Sequence, residues 1–173
     1  MSEVKIWRYY IPPVDSVEGW GVFILDSTGM FAAVTDYGNA AYKWPLHAEE
    51  DFRRFFAKGV SGGYLLQKLF YEQKKYDNEA TLQDVKEFIM VCRREGSYSR
   101  EKAREEWDLL SYYDDLDNDA SFVRWYDHTS LSDAGEFYKT SYSASARAFV
   151  NKLIPRLSEA IREELAKESE QNE

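Results

Sequence analysis

A run of carboxylates at residues 105–119 is the first feature of the sequence that could carry chemistry. It holds seven acidic side chains and no basic one: Glu105, Glu106, Asp108, Asp114, Asp115, Asp117 and Asp119. Asp115, Asp117 and Asp119 alternate as the first ligands of a calcium loop do. Alanine and tyrosine occupy the places of that motif's glycine and bidentate glutamate, so we expect no metal site. A solvated loop with helix-capping aspartates is the simpler interpretation.

The same run also admits an interpretation in which it acts on a protein. Spaced carboxylates imitate a phosphate backbone and can occupy a basic groove on a partner. The chain carries 31 acidic and 22 basic residues, a net charge of −9, which disfavours direct binding of nucleic acid. A partner protein, including one that itself binds nucleic acid, therefore fits the charge of the chain.

The segment DYGNAAYKW, residues 36–44, is the second candidate site. Four of its side chains could be the polar groups of an aromatic pocket between a sheet and helices: Asp36, Tyr37, Asn39 and Tyr42. The glycine and asparagine also suit the positive φ of a tight turn, so a hairpin explains the segment without a ligand. If Asp36 and Asn39 form hydrogen bonds only within their own hairpin, this segment is a turn and not a site.

The other reactive side chains form no recognisable reaction centre. Cys92, the single cysteine, falls on an apolar helical stripe, which predicts a buried thiol. The two histidines, His47 and His128, lack zinc-ligand spacing, although His128 follows an aspartate and is a further candidate for the pocket. The sequence thus predicts no cofactor. It favours a non-enzymatic binding protein, with a small enzyme or ligand binder as the alternative.

The order of elements predicts an α+β fold. Residues 4–44 hold four runs rich in β-branched and aromatic residues, which indicate an antiparallel meander of three or four strands. After Pro45 the apolar residues recur with helical spacing and indicate about five to six helices packed against the sheet. Pro155 is expected to kink or divide the last helix. The predicted helix caps are Thr81 for the third helix and either Asp119 or Ser121 for a later short helix.

Length and composition predict a single domain over residues 1–173, with a meander at 1–45, a helical part at 46–168 and a frayed tail at 169–173. The basic pairs are expected on solvated helix faces: Arg53-Arg54, Lys74-Lys75 and Arg93-Arg94. The cysteine count and the lack of a long apolar run predict a cytoplasmic protein without a membrane segment.

Several stretches together resemble a known family: WGVFILDSTGMFAAVTDYGNAAYKW, DFRRFF, YLLQKL, SFVRWYDHT and FVNKLIPRLSEAIREEL. They are similar to a family of small uncharacterised proteins of bacteriophages and prophages, in which a tryptophan-glycine strand leads into a DYGNxxYxW hairpin. The resemblance covers most of the chain and implies no activity, cofactor or catalytic residue. It implies an accessory phage protein in the bacterial cytoplasm. By analogy with other small acidic phage proteins, we expect it to bind and modulate or inhibit a partner protein, for which a host defence component is one candidate. A virion component that forms symmetric oligomers is a further alternative.

Overall fold

A computed structural model describes residues 3–45 and 49–171 of the chain. Six strands are present in these residues: β1 (Ile6–Ile11), β2 (Gly21–Asp26), β3 (Met30–Thr35), β4 (Gly38–Lys43), β5 (Lys75–Tyr76) and β6 (Thr140–Ser141). The α-helices are α1 (Arg53–Ala57), α2 (Gly62–Phe70), α3 (Asn78–Arg94), α4 (Arg100–Tyr112), α5 (Asp119–Tyr126), α6 (Ala144–Ala148) and α7 (Ile154–Glu170). A π-helical segment, Phe149–Leu153, joins the last two helices.

The chain forms two compact units, the first made of residues 1–73 and 142–173 and the second of residues 74–141. In the first unit, β1 to β4 form an antiparallel sheet in sequence order. Alternation along the strands turns aromatic side chains towards one face, where α1, α2 and α7 contribute further buried residues. The buried strand residues include Trp7, Tyr9, Phe23, Leu25 and Phe31. The α+β class and the four-stranded meander are therefore confirmed.

The second unit has its own core between α3, α4 and α5, centred on Val85, Ile89, Leu110 and Trp125. Its two ends meet in the antiparallel ribbon of β5 and β6, which pairs Lys75 with Ser141. This ribbon was not predicted, since two-residue strands leave no periodic signal. The expectation of a single domain stays a prediction.

Two helix caps differ from the sequence prediction. Asp77, and not Thr81, caps α3 by accepting a hydrogen bond from the amide of Ala80. Asn118 caps α5 and forms a capping box with Ser121, a side chain that the prediction had offered as the cap itself. Ser99 caps α4 by accepting a hydrogen bond from the amide of Lys102.

The last helical segment changes its hydrogen-bonding pattern just before Pro155, while its backbone stays helical from Ala144 to Glu170. The π-helical turn ends at Leu153 and Pro155 lies in the first turn of α7, where its missing amide donor is tolerated. Among the described residues, no helix is long and apolar enough to cross a membrane.

Candidate functional site

The polar side chains of the DYGNAAYKW hairpin point to separate places. Asp36 accepts a hydrogen bond of 2.5 Å from the amide of Gly19, which lies outside the hairpin in the β1–β2 connection. Asn39 pairs with Val34 on the exposed face of the sheet, whereas Tyr42 lies on the other face, with its ring 4.6 Å from that of Trp44. The structure therefore does not bring Asn39 and Tyr42 together in one pocket.

Tyr37 and its neighbours hold the β1–β2 connection in place. The Tyr37 hydroxyl donates to Glu18 Oε1 at 2.7 Å, and Lys152 donates to the same oxygen at 3.3 Å. These two donors lower the pKa of Glu18. Arg156 donates to the carbonyl oxygens of Gly19 and Pro12 at 2.5 and 2.6 Å. The polar groups near this end of the hairpin are thus used in contacts within the protein.

Tyr42 lines a separate groove of about 580 Å³ with residues of α2 and the turn that follows it. Lys68 lies over the Tyr42 ring at 5.6 Å from its centroid. No partner for the Asn39 side chain is evident among the described residues, and this side chain does not face the groove. The hydrogen bond from Gly19 to Asp36 reaches outside the hairpin, but it ties the β1–β2 connection to the turn. Asn39 and Tyr42 lie on opposite faces of the sheet, so these three side chains do not line one pocket.

The acidic run separates into one buried carboxylate and six exposed ones. Glu106 is only 4% exposed and accepts hydrogen bonds from the hydroxyls of Thr129 and Ser130, the amide of Ser130 and the ammonium group of Lys102. Burial alone would raise the pKa of Glu106, but these four donors outweigh it and the pKa is lowered. Glu106 therefore holds the 129–131 loop in place, and its burial leaves almost none of its surface for contact with a partner.

The other six carboxylates are exposed. Asp108 faces Arg104, and Asp114 faces Arg124, each at 3.5 Å. Asp119 accepts a hydrogen bond from the Tyr138 hydroxyl, which raises the pKa of Tyr138 to about 12. Across residues 3–45 and 49–171, no three acidic, His or Cys side chains are arranged to hold a metal ion. The run is therefore best described as an exposed acidic surface.

A left-handed turn lies in the middle of this run. Asp114, Asp115 and Leu116 have φ values of 55°, 48° and 56°, a conformation that L-residues other than Asn and Asp rarely adopt. Amide donors of Leu116 and Asp117 close the turn on the carbonyls of Tyr113 and Asp114. Leu116 is fully buried in the core of the unit, while the two aspartates are exposed. The turn thus anchors one apolar side chain and presents two carboxylates.

Exposed tyrosines stand on both sides of these carboxylates in the sequence. Tyr112 is 76% exposed two residues before the turn, and Tyr126 is 50% exposed on α5. Positions 119, 123 and 126 share one face of α5, with Val123 one turn and Tyr126 two turns after Asp119. We call this set the acidic–tyrosine surface: Tyr112, Asp114, Asp115, Asp117, Asp119, Val123, Tyr126 and Tyr138.

The described histidine packs at the end of α5, and the cysteine is buried in α3. His128 Nδ1 lies 2.7 Å from the carbonyl oxygen of Arg124, and its ring packs 5.4 Å from that of Tyr113. Cys92 is a buried free thiol, as its position on the helix predicts. His47 lies outside the described residues.

Arg53 does not lie on the solvated helix face that was predicted for the pair Arg53-Arg54. Arg53 was expected on a solvated face, but it is 1% exposed and forms ion pairs with Asp51, Glu164 and Glu168. Its guanidinium also lies 4.9 Å from the centroid of the Trp7 ring. The only available signal was the placement of Arg53 between Phe52 and two further phenylalanines, which makes an apolar environment plausible.

The chain is therefore an α+β protein whose small helical unit carries the acidic–tyrosine surface. Residues 2–163 match the profile of a phage protein family, so the chain belongs to that phage family. No curated protein and no solved structure matches the chain.

Proposed function

We propose that this phage-family protein is a non-enzymatic accessory protein that binds a basic surface of a partner protein through its acidic–tyrosine surface. Binding modulates or inhibits the partner, and a nucleic-acid-binding component of host defence fits the charge. The carboxylates take the place of phosphates in the partner's basic groove. The protein acts in the cytoplasm of the bacterial host.

The left-handed turn at Asp114–Leu116 is the observation that carries the proposal. A left-handed residue costs about 1–2 kcal/mol for most residue types, and backbone strain of this kind clusters at functional sites. Burial of Leu116 stabilises the turn, but burial does not require two consecutive exposed aspartates before it. Asparagine adopts this conformation as readily as aspartate but carries no charge, so the negative charge of both side chains is the feature that binding explains.

The composition of the surface supports the same conclusion. Tyrosines are enriched at protein interfaces because they combine a large apolar ring with a polar hydroxyl. Tyr112 and Tyr126 expose their rings on either side, in the sequence, of the four aspartates at 114, 115, 117 and 119. Electrostatic attraction steers a basic partner towards the carboxylates, and the tyrosine rings supply apolar contact area once it has docked.

The experiment is affinity capture from bacterial lysate with the protein and with the variant Asp114→Asn, Asp115→Asn. Asparagine tolerates the left-handed conformation, so this variant removes two charges and keeps the turn. The control variant is Glu159→Gln, Glu163→Gln, which removes two exposed charges from α7 in the other unit.

We expect the partner to be basic and its affinity to fall about tenfold or more in the Asp114, Asp115 variant, as for the loss of two interface ion pairs. The control should bind as the unmodified protein does. Equal capture by both variants, or loss of capture in the control alone, would contradict the proposed surface.

A further inference from the structure

A groove between α3 and α4 gathers four arginines around an apolar floor. Its volume is about 700 Å³, and all of its lining residues belong to the second unit. Arg93 and Arg94 come from the last turn of α3, and Arg100 and Arg104 come from the first half of α4. The floor is formed by Ile89, Met90, Ala103 and Trp107. We call this cavity the arginine groove.

The charge of the arginine groove is opposite to that of its surroundings. Residues 74–141 hold 16 acidic and 10 basic side chains, a net charge of −6. Four of those ten basic side chains line this one groove, against a single lining carboxylate, Asp108. Such a separation of charge inside an acidic unit concentrates positive potential at one place.

Helix stability does not account for this clustering. Arg93 and Arg94 suit the negative end of the α3 dipole, but Arg100 is the first residue of α4, at the positive end of its dipole, where a cation is unfavourable. Arg104 lies in the second turn of α4, where the helix dipole neither favours nor opposes it. The pair of Arg104 and Asp108 is exposed and separated by 3.5 Å, so it contributes only a few tenths of a kcal/mol. A ligand with negative charge explains why both helices direct arginines to one cavity.

Trp107 adds an aromatic surface to this cationic site. Its side chain is 37% exposed, and the ammonium group of Lys86 lies 5.4 Å from the ring centroid. Met90 is also exposed beside it. The guanidinium group of arginine binds phosphate through two parallel hydrogen bonds, and aromatic rings such as indole stack on nucleobases.

We propose that the arginine groove binds a nucleotide, with its phosphates on the arginines and its base on Trp107. The volume lies within the range of small-molecule pockets, about 300–1,000 Å³. Three to four negative charges on a nucleoside triphosphate match four arginines and one aspartate. The other residues of the unit are mainly acidic and repel a long polynucleotide, so a free nucleotide is favoured as the ligand.

The experiment is calorimetric titration of the full chain with ATP, GTP, CTP and UTP at low salt. Inorganic tripolyphosphate, adenosine and a short single-stranded oligothymidylate are titrated in parallel. Two variants test the assignment of residues. The arginine variant carries both Arg94→Gln and Arg100→Gln, and the tryptophan variant carries Trp107→Ala alone. The matched control is Arg8→Gln, Arg54→Gln, which removes two exposed arginines from the first unit.

We expect at least one triphosphate to bind, with about tenfold or greater weakening in the arginine variant and in the tryptophan variant. The control should bind as the unmodified protein does, and Arg94→Lys, Arg100→Lys should retain part of the affinity because the charge remains. Three results would overturn the proposal: no triphosphate binding at about 1 mM, far above the Kd of a useful site; tripolyphosphate binding as tightly as every nucleotide; or binding of the oligothymidylate alone. None of these readouts involves a partner protein, so they are independent of the acidic–tyrosine surface.

Discussion

At the residue scale, Glu106 shows how one carboxylate of the acidic run differs from its neighbours. It is buried and accepts four hydrogen bonds, three of them at 3.0 Å or less, whereas Glu105 beside it is exposed. Hydrogen bonds to a buried charge contribute more than those to a neutral group, and an unsatisfied donor left behind adds a desolvation penalty. The stability of the 129–131 loop therefore depends on this side chain.

We predict that Glu106→Gln lowers the free energy of unfolding by about 2 kcal/mol at neutral pH, because one charge-assisted acceptor is lost. The folded-state pKa of Glu106 is lowered, so its ionised form stabilises the protein above the unfolded pKa, about 4.3, and this contribution disappears as pH falls through the folded value. Urea unfolding from pH 7 to pH 3 measures the effect. Glu105→Gln should change stability by less than about 0.5 kcal/mol; an equal loss in both variants would contradict this account.

A second prediction concerns the left-handed turn, where the direction of the change in the free energy of unfolding is informative. Asp115→Gly should raise the free energy of unfolding by about 0.5 kcal/mol, because glycine adopts positive φ without steric strain. Glu105→Gly, in the middle of α4, should lower it by about 0.5–1 kcal/mol because glycine weakens a helix. Thermal unfolding of the two variants gives both signs. Destabilisation by Asp115→Gly would mean that its carboxylate has a structural role.

At the element scale, Arg53 joins α1 to the C-terminal half of α7. Its guanidinium donates to Asp51 and, through both terminal nitrogens, to Glu168 at 2.7 and 2.8 Å. The Tyr9 hydroxyl of β1 donates to Glu164 in the same cluster. These contacts connect elements 115 residues apart in the sequence and fix the direction of α7 against the sheet.

We predict that Arg53→Met lowers the free energy of unfolding by about 2 kcal/mol, less than the 3–5 kcal/mol of a fully buried pair, because the carboxylate partners are half exposed and recover water. Arg53→Lys should lose about half as much, since lysine keeps the charge without the fork. Arg54→Met, at an exposed position, serves as the control in chemical unfolding. A loss in Arg53→Met no larger than in Arg54→Met would show that the cluster is not stabilising.

Features that depend on neighbouring residues were predictable from the sequence, whereas features that depend on contacts between distant residues were not. Strands β1 to β4 were predictable because alternation and glycine turns are local signals. The caps at Asp77 and Asn118 were missed although both types favour capping, because several polar residues stood near each helix start. The burial of Arg53 and Glu106 depends on partners far along the chain, so no local pattern reveals it.

The arginine groove was missed for a related reason. Arg93-Arg94 was interpreted as a solvated pair, and Arg100 and Arg104 lay in a segment that reads as an ordinary charged helix. Only the packing of α3 on α4 places all four around one cavity. The exposed aspartates of the acidic–tyrosine surface were predictable from composition, but the left-handed turn that presents them was not.

At the scale of the whole molecule, the second unit is expected to fold by itself. Its core is separate, and the β5–β6 ribbon holds its two ends together. We predict that a fragment of residues 74–141 unfolds cooperatively, with lower stability than larger domains because a short chain buries a smaller share of its surface. Circular dichroism during thermal unfolding checks this. A fragment without a cooperative transition would show that the unit requires the rest of the chain.

The central claim is that the acidic–tyrosine surface binds a basic protein. The most direct measurement is the affinity of the captured partner for the unmodified chain, for Asp114→Asn, Asp115→Asn and for Glu159→Gln, Glu163→Gln, each at low and at physiological salt. The account predicts about tenfold or greater weakening in the first variant alone, and tighter binding of the unmodified chain at low salt. Binding that ignores both the salt concentration and the Asp114, Asp115 substitutions would contradict it.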